Sequence, residues 1–193
     1  MKTIILKTLV LATLAAGQAY AAPISLDNTA SITATYNGKA EDVVGLDHDF
    51  QVEAGSNTTT LDPTNAGVEF LTADALFGFD FSTTGLLTVY NNLPAASNAD
   101  YRLTFDFGSG LAAPITSFTL VDGSGLVSGM PGLTILGDHG IGLDLSGLVW
   151  TDGFGQFSAR LGTADVPEPA TAALVLAGAA GLATARRKRT SRA

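Results

Sequence analysis

Ala75-Leu76-Phe77-Gly78-Phe79-Asp80-Phe81 and Tyr101-Arg102-Leu103-Thr104-Phe105-Asp106-Phe107 alternate between two kinds of residue without a break. Successive side chains of a strand point to opposite faces. The first stretch therefore puts Ala75, Phe77, Phe79 and Phe81 on one face; the second does the same with Tyr101, Leu103, Phe105 and Phe107. Both predict strands with one buried side. Weaker alternation marks 31–36, 86–90, 117–121, 133–136, 141–145 and 156–161 as further strands. Asn37-Gly38 and Asp122-Gly123 suit type I′ hairpin turns, which need positive φ at both central residues. Asn91-Asn92, Gly108-Ser109-Gly110, Gly137-Asp138-His139-Gly140 and Asp152-Gly153 mark other turns, and Leu61 to Gly67 reads as a loop. No convincing helical period interrupts this pattern. The expectation is an all-β fold, an antiparallel β-sandwich of about eight to ten short strands, of which the jelly roll is one form.

The chain has 193 residues, enough for one domain of ordinary size. It has no Cys, which excludes disulfides, Cys-ligated zinc, iron–sulfur clusters and a thiol nucleophile. The net charge of −8 argues against nucleic-acid binding, but it hides an uneven distribution. Lys39, Arg102 and Arg160 are the only cations in 22–165, against seventeen acids, so that stretch carries −14. The remaining seven cations sit at the two ends.

Residues 1–21 have the three parts of a secretory signal peptide: Lys2 and Lys7, an apolar run from Leu9 to Ala16, and Ala19-Tyr20-Ala21 as a small-x-small site. This predicts recognition by the secretion translocon, and cleavage by signal peptidase before Ala22. Residues 22–161 are the β-sandwich ectodomain, and 162–165 a short linker to the tail.

At the other end, Val166-Pro167-Glu168-Pro169 precedes sixteen uncharged residues, Ala170 to Ala185, and then Arg186-Arg187-Lys188-Arg189. Two prolines in three residues give an exposed, extended segment. As a helix, the sixteen residues would span about 24 Å, short of the roughly 30 Å hydrocarbon core. That length suits a minimal or temporary C-terminal transmembrane helix. The basic cluster would stay cytoplasmic as a stop-transfer signal, with the Pro-Glu-Pro segment just outside the membrane.

This tripartite tail, residues 166–193, resembles the PEP-CTERM sorting signal of Gram-negative bacteria. The resemblance implies processing by an exosortase, a membrane-embedded cysteine protease–transpeptidase, and delivery to the cell surface or the extracellular polymer matrix. The stretches beginning at Phe118 and Ile141 also resemble uncharacterised ectodomains that carry such tails, a likeness that adds no chemistry.

The acidic middle offers little recognisable chemistry. No Ser has Gly two residues away on both sides, as a hydrolase elbow requires, and no phosphate-binding loop is present. His48 and His139 lie among turn-forming Asp residues, a context that a polar loop explains without a ligand. Weak calcium candidates are Asp47, Asp49, Asp138 and Asp144, since clustered oxygen ligands suit a hard cation, but neither an EF-hand loop nor a Gly-Gly-x-Gly-x-Asp repeat occurs. Tyr36, Tyr90, Tyr101 and Trp150 lie in or beside strands, where core packing is the default. No catalytic residue and no cofactor is expected. The leading expectation is a non-enzymatic, exported surface or matrix protein. The alternatives are a carbohydrate-binding or adhesion module, with or without calcium, and a secreted hydrolase using a carboxylate pair. Extracellular polysaccharide is the partner the first alternative would take.

Overall fold

The computed structural model describes residues 22–24, 26, 30–62, 67–92, 100–151 and 154–163. The expected signal helix and C-terminal transmembrane helix lie outside these residues. Among the described residues no helix is long and apolar enough to cross a membrane.

Fourteen strands are described, more than the sequence suggests: β1 (Ala22–Pro23), β2 (Ser31–Tyr36), β3 (Val43–Gly45), β4 (Thr58–Thr60), β5 (Phe70–Thr72), β6 (Phe77–Phe81), β7 (Leu86–Asn91), β8 (Arg102–Asp106), β9 (Ile115–Asp122), β10 (Leu126–Ser128), β11 (Gly132–Leu136), β12 (Gly140–Asp144), β13 (Val149–Trp150) and β14 (Gln156–Thr163). All pairings are antiparallel. The larger sheet runs β1-β14-β7-β6-β5-β3, with β9 on the other side of β14. The second sheet runs β11-β12-β8-β2-β4, and β10 pairs with β13 alone.

The two alternating stretches meet across the core. Phe105 on β8 has its ring centroid 5.8, 5.2 and 5.0 Å from those of Phe70, Phe79 and Phe81 on the opposing sheet. Phe107 meets Phe81 edge-on at 5.6 Å. At one end of the core, Trp150 packs between Phe77 and Phe157, at 6.2 and 5.8 Å. Offset and edge-on ring pairs of this kind add about 1 kcal/mol each beyond burial.

Turn chemistry follows the sequence in one place and departs from it in another. Asn37 and Gly38 have φ of 51° and 78°, and Tyr36 and Lys39 exchange backbone hydrogen bonds, as a type I′ turn requires. Asp122-Gly123 does not form one, since neither residue has positive φ. Instead an Asp122 carboxylate oxygen accepts the Ser124 N–H at 2.9 Å, and Leu126 N–H closes a turn onto the Gly123 carbonyl. The local Asx bond wins because the chain here leaves β9 for β10, not for a hairpin partner.

Three boundaries also move. Ala75, expected in a strand, has φ of 55° and sits in the turn between β5 and β6. Asn91, expected in a turn, is the buried last residue of β7. Gly162 and Thr163, read as linker, continue β14 because β9 and β1 both pair with them.

Candidate functional site

The His and Asp residues singled out from sequence are dispersed. Asp47 follows β3, and one of its carboxylate oxygens accepts both the backbone N–H and the hydroxyl of Thr60 on β4, at 2.8 and 2.9 Å. Asp49 takes the left-handed conformation beside it, and His48 pairs with Glu53 at 2.6 Å. Asp138 and His139 form the tip of the β11–β12 hairpin. Asp144 on β12 binds Arg102 at 3.2 Å and accepts the Ser146 N–H at 2.9 Å. The Ser146 side chain holds the Asp144 carboxyl below the usual range; burial opposes it, and the Ser146 N–H and Arg102 add to the lowering. β4 and β12 are three strand spacings apart in the sheet order, which is about 14 Å. Asp47 is therefore bound to one side of the sheet while Asp144 lies towards the other. Among the described residues no group of three or more His, Asp or Glu side chains is placed to hold a metal ion.

The four aromatic residues divide. Tyr36 and Trp150 are buried, and Tyr36 stacks on Tyr101 at 6.4 Å. Tyr90 walls a shallow groove of about 180 Å³ over Gly78, together with Val68, Leu71 and the exposed Phe154. A second, more polar groove of about 330 Å³ lies over β2 and β8, between Ser31, Thr33, Asp106 and Gly108-Ser109-Gly110.

One titratable cluster was not visible in the sequence. Glu69 precedes β5 and is only 1% exposed. Its carboxylate accepts the Phe81 N–H at 2.7 Å, beyond the start of β5, where that donor has no ladder partner on that side. Extending the β5–β6 register by one residue places Glu69 opposite Asp80, whose carboxylate is hydrogen-bonded by the Tyr90 hydroxyl. Burial pushes the Glu69 carboxyl up to about 7; the Phe81 N–H opposes this and Asp80 adds to it. Burial also raises Asp80. A single Glu between Val68 and Phe70-Leu71 gives no sign of this, because the burial comes from the fold around it.

The sign of the pH effect follows. The folded-state value lies above the 4.5 of an unperturbed Glu, so the folded protein holds this proton more tightly than the unfolded chain. Stability linked to Glu69 is fully present below 4.5 and falls as pH rises to about 7. The linked loss is about 3 kcal/mol at most. Glu69→Gln keeps an acceptor for Phe81 and removes the charge. Urea denaturation of both proteins should show little difference at pH 4.5 and the variant ahead by about 1–3 kcal/mol at pH 8. A constant gap across this range would contradict the assignment.

The tail motif Val166-Pro167-Glu168-Pro169, the basic residues Arg186, Arg187, Lys188 and Arg189, and the Ala19 and Ala21 cleavage site lie outside the described residues. Comparison speaks for the first two. Residues 165–189 match the family described as the PEP-CTERM protein-sorting motif. The chain carries a PEP-CTERM sorting tail. No curated protein and no solved structure matches the chain, so the match covers the tail and the β-rich body stands apart from it. A PEP-CTERM tail implies an exported protein, held transiently in the membrane and then processed by an exosortase.

Proposed function

We propose that this protein is a non-enzymatic, exported β-sandwich, delivered by its PEP-CTERM tail to the cell surface or the extracellular matrix of a Gram-negative bacterium. The observation that carries this reading is the sorting-motif match over residues 165–189, directly after an acidic body. In sequence order the protein meets the translocon, signal peptidase acting after Ala21, and then an exosortase.

The geometry of the ends supports the same reading. Ala22 pairs with Thr163, and Pro23 with Gly162. The first residue after signal cleavage and the last residue of β14 are therefore ladder neighbours, so both address segments leave the body at one point. Thr163 and Pro167 are four residues apart, a reach of about 14 Å at full extension. Exosortase would act close to the body, at the point where the body hangs from the membrane. A charge of −14 keeps such a body soluble and apart from anionic polymers unless cations bridge them.

Replacing Pro167, Glu168 and Pro169 together by Ala should leave the tail attached. The protein should then accumulate in the membrane fraction at its unprocessed mass, read by mass spectrometry of the fractionated envelope. Normal trimming and release of this variant would overturn the proposal.

A further inference from the structure

Among the described residues seven large apolar side chains are exposed, and five of them lie between Val121 and Leu136: Val121, Val127, Met130, Ile135 and Leu136. The same flank is almost free of charge. From Phe107 to Gly137 the only charged residue is Asp122, in a body that carries −14 over residues 22–165. This flank contains β9, β10 and β11, and β11 ends the five-stranded sheet.

The two edges of that sheet differ. At the β4 edge the strand is three residues long, and Asp47 occupies the outward N–H of Thr60. That edge is closed to a new strand. At the β11 edge, five residues pair with β12 in continuous register, Gly132↔Asp144 through Leu136↔Gly140, without a bulge. β9 packs beside β11 but makes no ladder with it. Gly132-Leu133-Thr134-Ile135-Leu136 contains no Lys, no Pro and no inward charge, the devices that normally guard an edge strand. Ile135 is 38% exposed although it shares its face with the fully buried Ile141 opposite. Among the described residues no strand forms a ladder with this edge.

We propose that β11 pairs antiparallel with β11 of a second copy across a twofold axis, joining the two five-stranded sheets into one. The occupant of this edge must bring a backbone in strand conformation, apolar side chains to cover Ile135 and Leu136, and almost no charge. β11 itself has all three properties, and antiparallel pairing about a twofold makes one strand complementary to its own copy. Charge selects the same partner. A basic protein would be drawn to the acidic faces, and an acidic one would be repelled by them. Two like-charged bodies meet with least repulsion through their near-neutral flanks. Pro131, immediately before the strand, ends the pairing on that side.

The absence of Cys from the chain makes this directly testable. The residue on the axis of such a pair lies roughly 4.5–5.5 Å from its own mate, inside the Cα range of a disulfide. Single cysteines are introduced at Leu133, Thr134, Ile135 and Leu136, one at a time, in the full exported chain. Mild oxidation or a short bismaleimide is applied to intact cells. Covalent dimer should form strongly at one or two of the four positions and be absent from Thr33→Cys, on β2 in the interior of the same sheet. Adding Ile135→Lys to the best Thr134 or Leu136 cysteine should reduce the dimer about tenfold, since each copy then brings a charge into the apolar seam beside its like-charged mate. Monomer at all four positions, or equal crosslinking from Thr33→Cys, overturns the proposal.

Discussion

Phe105→Ala should unfold this protein over a markedly lower range of urea or temperature than any surface substitution. Phe105 is fully buried and packs against Phe70, Phe79 and Phe81 from the opposing sheet. Removing its ring takes away the principal contact between the sheets at their centre and leaves a cavity that rigid strands on both sides cannot close. Such truncations cost about 3–5 kcal/mol, a large share of the about 5–15 kcal/mol that holds a domain together. The melting temperature should fall by about 10 °C. Trp150 is the only Trp and is 9% exposed, so its fluorescence reports the transition. Phe154→Ala is the control. Phe154 is 80% exposed, and its loss should change stability by no more than about 0.5 kcal/mol. Equal effects from the two substitutions would show that Phe105 is not the centre of the core.

The second large effect is expected at Gly125, where the chain leaves β9 and crosses the start of β14. A Cβ at this position would overlap the backbone carbonyl of Gln156. No side-chain rotamer relieves that contact, because the obstacle is main chain in a paired strand. The Gly125 carbonyl also accepts the Thr151 N–H at 3.0 Å and the Thr151 hydroxyl at 3.2 Å. Gly125→Ala must therefore move the β10–β13 pair away from β14, with Trp150 at its end. The cost should be about 3 kcal/mol, with Trp150 emission shifted to the red in the folded state. Phe105→Ala is expected to leave that emission nearly unchanged before unfolding, which distinguishes the two mechanisms. Wild-type emission and stability for Gly125→Ala would mean that the crossing is looser than the contacts indicate.

Short strands explain much of what the sequence did not show. Phe77 to Phe81 and Arg102 to Asp106 are long enough for alternation to stand out. β3, β4 and β5 have three residues each, too few to carry a period, and they exist because neighbouring strands supply their hydrogen bonds. Asp122-Gly123 and Asn37-Gly38 look alike in sequence. Only the direction of the chain after the turn separates an Asx bond from a type I′ hairpin. Asp47 likewise reads as a cation ligand in its Asp47-His48-Asp49 setting, yet its carboxylate is bound to Thr60 of an edge strand, thirteen residues further along.

The charge pattern was the feature that needed no tertiary structure. Seven of ten cations at the two ends, and Val166-Pro167-Glu168-Pro169 before an uncharged run and a basic cluster, are linear signals. Enzymes that read a chain at a membrane act on linear segments, so the sorting assignment is complete in the sequence, as is the all-β class. Burial and proximity are different. The proton affinity of Glu69, the scattering of Asp47 and Asp144, the meeting of Ala22 with Thr163 and the unguarded edge at β11 depend on residues far apart in sequence. Each is fixed by which strands become neighbours, and strand order is decided only when the whole apolar surface of both sheets is buried at once.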